Sequence, residues 1–84
     1  MPTTNITITT NWVKIADANN GELLATWTAP GTIEVATTTT DTAPTVNGHR
    51  LTRESAITRA AVGAGFVWAR SLSAGSTAAL IVSK

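Results

Sequence analysis

Few side chains in this sequence are suited to acid–base or nucleophilic chemistry. His49 is the single histidine, cysteine and tyrosine do not occur, and the acids are two aspartates and three glutamates. A serine–histidine–aspartate arrangement would need Ser55 or Ser71 as the nucleophile beside His49, with Asp17 or Asp41 supplying the acid. Neither serine is flanked by glycines in the G-x-S-x-G pattern that exposes such a nucleophile. We therefore expect no enzymatic activity.

Metal and phosphate sites are also disfavoured by residue type and spacing. One histidine without cysteines cannot complete a zinc site, and the scattered carboxylates lack the D-x-D-x-D-G spacing of a calcium loop. Gly63-Ala64-Gly65 lacks the further glycine, the lysine and the helix of a phosphate-binding loop. The sequence predicts no metal ion and no cofactor.

The charges are few and unevenly distributed. Six lysines and arginines against five acids give a net charge of +1, and charged residues make up 13% of the chain, about half the usual share. Residues 1–43 hold one lysine and four acids, whereas residues 44–84 hold five basic residues and one acid. The simplest interpretation is pairing between the two halves within one chain, although contacts between subunits would use the same asymmetry.

A basic surface with interleaved aromatic rings would suit nucleic acid. The residues that could form one on a sheet are Arg50, Arg53, Arg59, Phe66, Trp68 and Arg70. So few cations would neutralise few phosphates, and the affinity would be weak at physiological salt. Nucleic acid is therefore not the expected partner, and a nucleic-acid-binding barrel is kept as a third alternative.

The length allows one small domain over residues 1–84, with a flexible N-terminal arm considered at residues 1–4. A domain of this size buries only about 60% of the surface that its unfolded chain exposes. Because there is no cysteine for a disulfide, association with other copies is the expected source of additional stability. We find neither a secretory leader nor an apolar run of the ~20 residues that span a bilayer, and expect a chain made in the cytoplasm.

The N-terminal residues alternate between apolar and polar at the period of a β-strand. Ile6, Ile8 and Trp12 share one phase, and Val13 and Ile15 continue in the opposite phase. That one-residue shift predicts a bulge or a change of sheet near Trp12.

Turn-forming pairs separate the next strands. Asn20-Gly21 predicts a tight hairpin that leads into a central strand over Leu23–Trp27. Pro30-Gly31 predicts a type II turn and a second hairpin, into a strand that begins at Ile33. The threonines of Thr37–Thr40 predict an edge strand that fades into a loop.

The segment after this loop is harder to interpret. Asn47-Gly48 predicts a further tight turn, followed by a short strand over His49–Leu51. Ala56–Val62 could be a short helix capped by Ser55, but its β-branched residues and the glycine that follows favour a strand.

The C-terminal residues predict two more strands. Gly63-Ala64-Gly65 forms a hairpin turn into Phe66–Ser71, Ser73-Ala74-Gly75 turns again, and alternation from Ala78 to Val82 completes the chain. Seven or eight short strands with a turn signal at each gap are typical of an all-β domain. The predicted fold is a small antiparallel β-sandwich or a jelly-roll-like barrel.

The tryptophans are the largest apolar side chains in the chain. We place Trp68 in the core, and Trp12 and Trp27 either between subunits or at one end of the sandwich. Arg70 shares a strand face with Trp68, so its stem should cover that ring while its guanidinium reaches Glu34 or Asp41. The candidate interface residues are Trp12, Trp27, Arg50, Arg53, Arg59 and Arg70.

The C-terminal half resembles a group of small β-rich virion proteins of tailed bacteriophages. The resemblance lies in Gly48-His49-Arg50-Leu51, Arg59, the run from Gly65 to Ser71, and the closing Val82-Ser83-Lys84. Capsid decoration (cement) proteins and the knobs of head or tail fibres belong to this group. The resemblance implies a non-enzymatic homotrimer outside the virion, commonly at local three-fold positions of the capsid lattice, without catalytic or metal residues.

We accordingly expect a capsid decoration protein that bridges neighbouring capsid subunits and stabilises the head. Its expected partners are the major capsid protein and other copies of the chain, with no membrane involved. Its expected location is the capsid surface, after synthesis in the host cytoplasm. The alternative is a knob of a phage fibre that binds a receptor or host surface.

Overall fold

A computed structural model of the chain describes residues 3–27, 32–52, 55–72 and 78–84, without the side chain of Ala78. Within these residues the chain forms eight strands and one short helix. They are β1 (Thr3–Ile8), β2 (Val13–Ala16), β3 (Leu24–Trp27), β4 (Ile33–Thr38), β5 (His49–Leu51), β6 (Ile57–Thr58), α1 (Arg59–Val62), β7 (Phe66–Ser71) and β8 (Ala78–Ser83).

The strands form two antiparallel four-stranded sheets that pack as a sandwich. The first sheet has the order β1-β8-β3-β6 and the second has the order β2-β7-β4-β5. The all-β sandwich predicted from the strand spacing is confirmed. β3 lies between β8 and β6, so its prediction as a central strand is confirmed as well.

The chain changes sheets between β1 and β2, as the phase shift near Trp12 predicts. β1 belongs to the first sheet and β2 to the second. The crossing is held by the Ser71 amide, which donates to the Thr9 carbonyl at 2.7 Å. Thr3 and Thr4, considered above as part of an arm, pair with Ser83 and Val82 in β1, whereas residues 1 and 2 lie outside the described residues.

The predicted hairpins are wrong, because consecutive strands mostly lie in different sheets. Among the described strands, β4 and β5 alone are both consecutive in sequence and adjacent in a sheet. The connections β2–β3 and β3–β4 both pass from one sheet to the other. The Pro30-Gly31 and Ser73-Ala74-Gly75 turn predictions fall on residues that the structure does not describe.

The glycines of the two Asn-Gly pairs do not have the positive φ angles that the tightest hairpin turns need. Positive φ angles in the described chain occur at Gly63 (79°) and Gly65 (116°), not at Gly21 or Gly48. Gly48 is required for a different reason, since a Cβ there would collide with the Val35 carbonyl and lie 3.1 Å from the Trp12 ring. The second Asn-Gly pair therefore permits a close approach of two backbones.

The ambiguous segment over residues 56–62 is half strand and half helix. Ile57 and Thr58 pair with β3, and the chain then turns into α1. The N-cap is Thr58, whose hydroxyl accepts from the Ala61 amide at 3.2 Å, instead of the considered Ser55. The glycine-containing turn that follows α1 connects it to β7 and does not form the predicted hairpin. Both of its glycines have positive φ angles.

The end of β4 differs from its prediction as an edge strand. β4 pairs with β7 along its whole length and with β5 over Ile33–Val35. Thr37 and Thr38 therefore extend a central strand, and the loop begins at residue 39.

The core lies between the sheets and contains one tryptophan, Trp27, with 4% of its surface exposed. This corrects the placement of Trp27 at an interface, because its ring packs within one chain. The larger residues that pack with it are Ile8, Ile15, Leu23, Ile33, Val35, Ile57, Val67, Leu80 and Val82.

Candidate interaction faces

The outer surface of the second sheet concentrates the charged and aromatic side chains. Along β7, Val67 and Ala69 face the core, so Phe66, Trp68 and Arg70 face outward by strand alternation. The register places outward-facing side chains of β2, β4 and β5 beside them. We call this surface the charged face; it comprises Trp12, Lys14, Glu34, Arg50, Phe66, Trp68 and Arg70.

Arg70 joins two elements on the charged face. Its Nε donates to Oε1 of Glu34 at 2.5 Å, across the β4–β7 pair. Its guanidinium carbon lies 4.3 Å from the centroid of the Trp12 ring, a distance typical of cation–π stacking. The Glu34 partner was among the two acids expected, but the ring that Arg70 covers belongs to Trp12 and not to Trp68.

Trp68 is buried, as predicted, but on the outer side of its sheet. It retains 9% exposure, and its Nε1 donates to the Thr38 hydroxyl at 2.9 Å. Its neighbours across the sheet are Lys14 on β2 and Ala36 on β4. The ring therefore covers the sheet instead of packing between the sheets.

Lys14 is the centre of a second ionic group on this face. Its Nζ lies 2.9 Å from carboxylate oxygens of both Asp17 and Asp41, and 5.5 Å from the Phe66 ring centroid. The hydrogen bond with Asp17, followed by that with Asp41, raises the pKa of Lys14. The hydrogen bond from Lys14 lowers the pKa of Asp17. These side chains are partly exposed to solvent, so salt weakens their attraction.

Arg59, another candidate interface residue, forms hydrogen bonds within the chain. All five of its N–H groups are used: Nε and Nη2 donate to Asn20, Nη2 also donates to Asp17, and Nη1 donates to Gly63 and Gly65. Every acceptor is a backbone carbonyl. The guanidinium thereby joins the β2–β3 connection to the α1–β7 connection, and its donors are occupied within the chain.

The outer surface of the first sheet has the opposite character. The inward residues of β1 and β8 pair as Ile6 with Leu80 and Thr4 with Val82, which leaves their alternate positions facing outward. On β3, Leu24 and Thr26 face the same side. We call this surface the neutral face; it comprises Thr3, Asn5, Thr7, Leu24, Thr26, Ala79, Ile81 and Ser83.

None of these eight side chains carries a charge, and two of them are exposed aliphatic residues. Leu24 is 47% exposed and Ile81 is 39% exposed. The Thr3 hydroxyl and the Ser83 hydroxyl bond to each other at 2.7 Å. The neutral face therefore has uncharged hydrogen-bonding groups around an aliphatic centre.

The five candidate interface residues that the structure describes lie in three environments. Trp12, Arg50 and Arg70 lie together on the charged face. Trp27 lies in the core, Arg59 is bound to backbone carbonyls, and Arg53 is outside the described residues.

The neutral face was not predicted, because it depends on β1, β8 and β3 lying side by side although they are distant in sequence. A signal for it is nevertheless present in the sequence. The alternate positions of Thr3–Thr7, Leu24–Thr26 and Ala79–Ser83 are all uncharged, and strand periodicity would have placed each set on one surface.

The described residues that were considered for catalysis lie on different elements. His49 is exposed on β5, Ser71 lies on the inward side of β7, and Asp41 binds Lys14. Within the described ranges, no three residues of the types His, Cys, Asp and Glu are grouped so that they could hold a metal ion. The described helix is also too short to cross a membrane.

No family model matches the chain, and neither a curated protein nor a solved structure matches it. We therefore infer the function from the surfaces of the molecule itself.

Proposed function

We propose that this chain is a non-enzymatic structural protein that decorates the outer capsid surface of a tailed bacteriophage. In this proposal it assembles as a homotrimer, and each copy places its neutral face against the major capsid protein. The observation that carries the proposal is the uncharged outer surface of the first sheet, which comprises eight residues on three strands and includes the exposed Leu24 and Ile81.

The composition of the neutral face favours contact with protein. Burying a charge without a partner costs several kcal/mol or more, whereas threonine, serine and asparagine can exchange water for a hydrogen bond across an interface. The centres of protein interfaces are accordingly depleted in charged residues. Leu24 and Ile81 would supply the apolar contact at this centre.

The charged face also favours an orientation in which the neutral face contacts the capsid and the charged face is turned toward solvent. Glu34 is paired with Arg70, and Lys14 with two aspartates, so these charges are already stabilised within the chain. Its three cations, Lys14, Arg50 and Arg70, are equalled in number by Glu34 on this face and the adjoining Asp17 and Asp41, although the Arg50 side chain has no ion pair among the described residues. A balanced surface attracts polyanions weakly, which argues against nucleic acid as the partner.

The mechanism would be mechanical. Each subunit would add buried area across a seam between capsid proteins, and a trimer would engage three such contacts at once. Linked contacts that are weak individually become strong together, because the second and third form at a high effective concentration. The capsid would resist internal pressure in proportion to the number of occupied sites.

The test is co-sedimentation of the purified protein with empty expanded capsids made from the major capsid protein of the same phage. Leu24→Lys and Ile81→Lys should each reduce the bound fraction by about tenfold or more, because each buries a charge at the centre of the contact. Ala60→Lys is the matched control, since Ala60 is exposed on α1 and is not one of the eight residues of the neutral face.

Light scattering should show a trimer for the wild-type protein. Failure of the wild-type protein to bind capsids, or equal binding by all three lysine variants, would contradict the proposal. Binding to host cells in place of capsids would instead identify a fibre knob.

A further inference from the structure

The open side of the sandwich between β5 and β6 is lined mainly by apolar side chains. β5 and β6 are the last strands of their sheets on this side. Between them lies a groove of about 570 Å³, within the size range of protein ligand sites. Its apolar lining includes Val46, Leu51, Ile57 and Val62, and Val46 is 68% exposed.

The groove runs beside an unpaired strand edge. β5 pairs with β4, and no other described strand lies beside it. Alternate N–H and C=O groups of β5 therefore point away from the sheet, where an added strand would bind them. A free edge next to an apolar groove is the geometry by which proteins bind extended peptide segments.

The charges at this edge select the occupant. Arg50 is the middle residue of β5 and lies opposite Glu34 of β4, but the carboxylate of Glu34 binds Arg70. Among the described residues, the Arg50 guanidinium has no ion pair or hydrogen bond. The described residues that line the groove include no carboxylate. An acidic side chain opposite Arg50 would therefore gain an ion pair with a cation that is otherwise unpaired.

A second copy of the chain that pairs through its own β5 does not place an acidic side chain opposite Arg50. Antiparallel pairing of two β5 strands about their centres would place Arg50 opposite Arg50, and like charges directly opposite destabilise a strand pair. Symmetric pairing of two copies through β5 is therefore disfavoured, which favours a segment of a different polypeptide as the occupant.

We propose that the β5 edge and the adjoining groove bind an extended segment of a partner protein by strand addition, with an acidic residue of that segment opposite Arg50 and apolar residues on either side of it. Strand alternation places the acid on the outer side of the second sheet, next to Arg50. The flanking apolar side chains then enter the groove between Val46, Leu51 and Val62. This site is separate from the neutral face and stands whether or not the chain binds a capsid.

The test uses two capped heptapeptides that have valine at the positions flanking the centre, and differ only in a central glutamate or lysine. Binding is followed by the backbone amide signals of the ¹⁵N-labelled protein. The glutamate peptide should shift the signals of His49, Leu51 and Val62, and should bind about tenfold more tightly than the lysine peptide. Arg50→Glu should reverse this preference.

Two further variants separate the groove from the rest of the surface. Val46→Ser should weaken binding of the glutamate peptide several-fold, because Val46 lines the groove. Leu24→Ser should leave it unchanged, since Leu24 is exposed on the neutral face.

Several results would overturn the inference: no shift with either peptide, equal affinity for both, signal changes centred on another surface, or loss of signal because two copies pair through β5. A peptide with N-methyl groups at the flanking valines should not bind, because it cannot form the strand hydrogen bonds. If the N-methylated peptide bound as tightly as the unmodified glutamate peptide, strand addition would also be refuted.

Discussion

At the scale of single residues, Arg59 is the side chain whose removal should disturb the described structure most specifically. Its five N–H groups bind four backbone carbonyls that belong to two separate connections. Hydrogen bonds of charged groups contribute about 1.5–3 kcal/mol. Arg59→Ala should lower the free energy of unfolding by about that amount, measured by urea denaturation.

Arg59→Lys should recover little of this loss, because a lysine has three donors on a single nitrogen and cannot reproduce the planar fork. The matched control is Arg50→Ala, which removes an exposed arginine without a described partner and should change the unfolding free energy by less than about 0.5 kcal/mol. Equal effects of the two alanine substitutions would show that the carbonyl contacts contribute nothing.

Gly48 gives a second prediction at this scale. Gly48→Ala should destabilise the fold by about 1–3 kcal/mol, because the added methyl group collides with the Val35 carbonyl. Gly21→Ala is the control, since no atom lies within 4 Å of a Cβ at Gly21 and its φ is not positive. It should be neutral or stabilise by up to about 1 kcal/mol. A Gly48→Ala protein with the wild-type thermal midpoint would refute the close contact.

The environment of individual tryptophans could be predicted only in part. Alternation shows that Phe66, Trp68 and Arg70 share a face, but the strand has apolar residues on both faces. The pattern therefore does not show which face is turned to the core. Val67 and Ala69 take that position because the register of β7 with β2 and β4 decides it.

At the scale of elements, the β4–β7 pair should depend on the Arg70–Glu34 contact. Glu34 has 2% of its surface exposed, so Arg70→Ala leaves an almost buried carboxylate without its partner. Breaking such a pair costs about 3 kcal/mol. In the Glu34→Gln background the same substitution should cost clearly less, and the difference between the two is the coupling measured by a double-mutant cycle.

The loss of stability caused by Arg70→Ala should also be independent of protein concentration, because Arg70 and Glu34 belong to one chain. Thermal midpoints that fall further on dilution would show that Arg70 acts between subunits. Additive effects of the two substitutions would show that the ion pair does not stabilise the sheet.

The contact between β2 and the following turn predicts a dependence on pH. The pKa of Asp17 is lowered from its ordinary 3.8 by the Lys14 hydrogen bond, so its contribution to stability is present above that pH and is lost as the pH falls through the folded-state value. The pKa of Lys14 is raised from 10.5, so its contribution is present below that pH and is lost as the pH rises through the higher value.

Wild type and Asp17→Asn should therefore differ in stability at about pH 7 and converge as the pH falls below the folded-state pKa of Asp17, where the carboxyl group is protonated. The difference should also shrink in high salt. A gap of equal size at both pH values would mean that Asp17 acts through something other than its charge.

Strand positions were predictable from local pattern, whereas strand partners were not. The bounds of β7 and β5 follow from alternation and from flanking turn residues. Asn20-Gly21 also suggests a hairpin, but β2 and β3 bury their apolar residues better against strands distant in sequence, β7 and β8. A turn preference of two residues is small beside the burial of a whole strand face.

At the scale of the whole molecule, the outer surfaces of the two sheets differ in charge. The charged face is stabilised by contacts within the chain, and the neutral face has no charge to desolvate when a partner covers it. The sandwich itself was predictable from strand number and spacing. Which surface is neutral was not evident, because it depends on β1, β8 and β3 lying side by side, and these strands are distant in sequence.

The most direct test of the proposed function is cryo-microscopy of expanded capsids incubated with the purified protein. The account predicts density for three copies at local three-fold positions, with Thr7, Leu24 and Ile81 of each copy turned toward the major capsid protein and Arg50 and Arg70 turned to solvent. Undecorated capsids, or bound copies with the neutral face exposed to solvent, would contradict it.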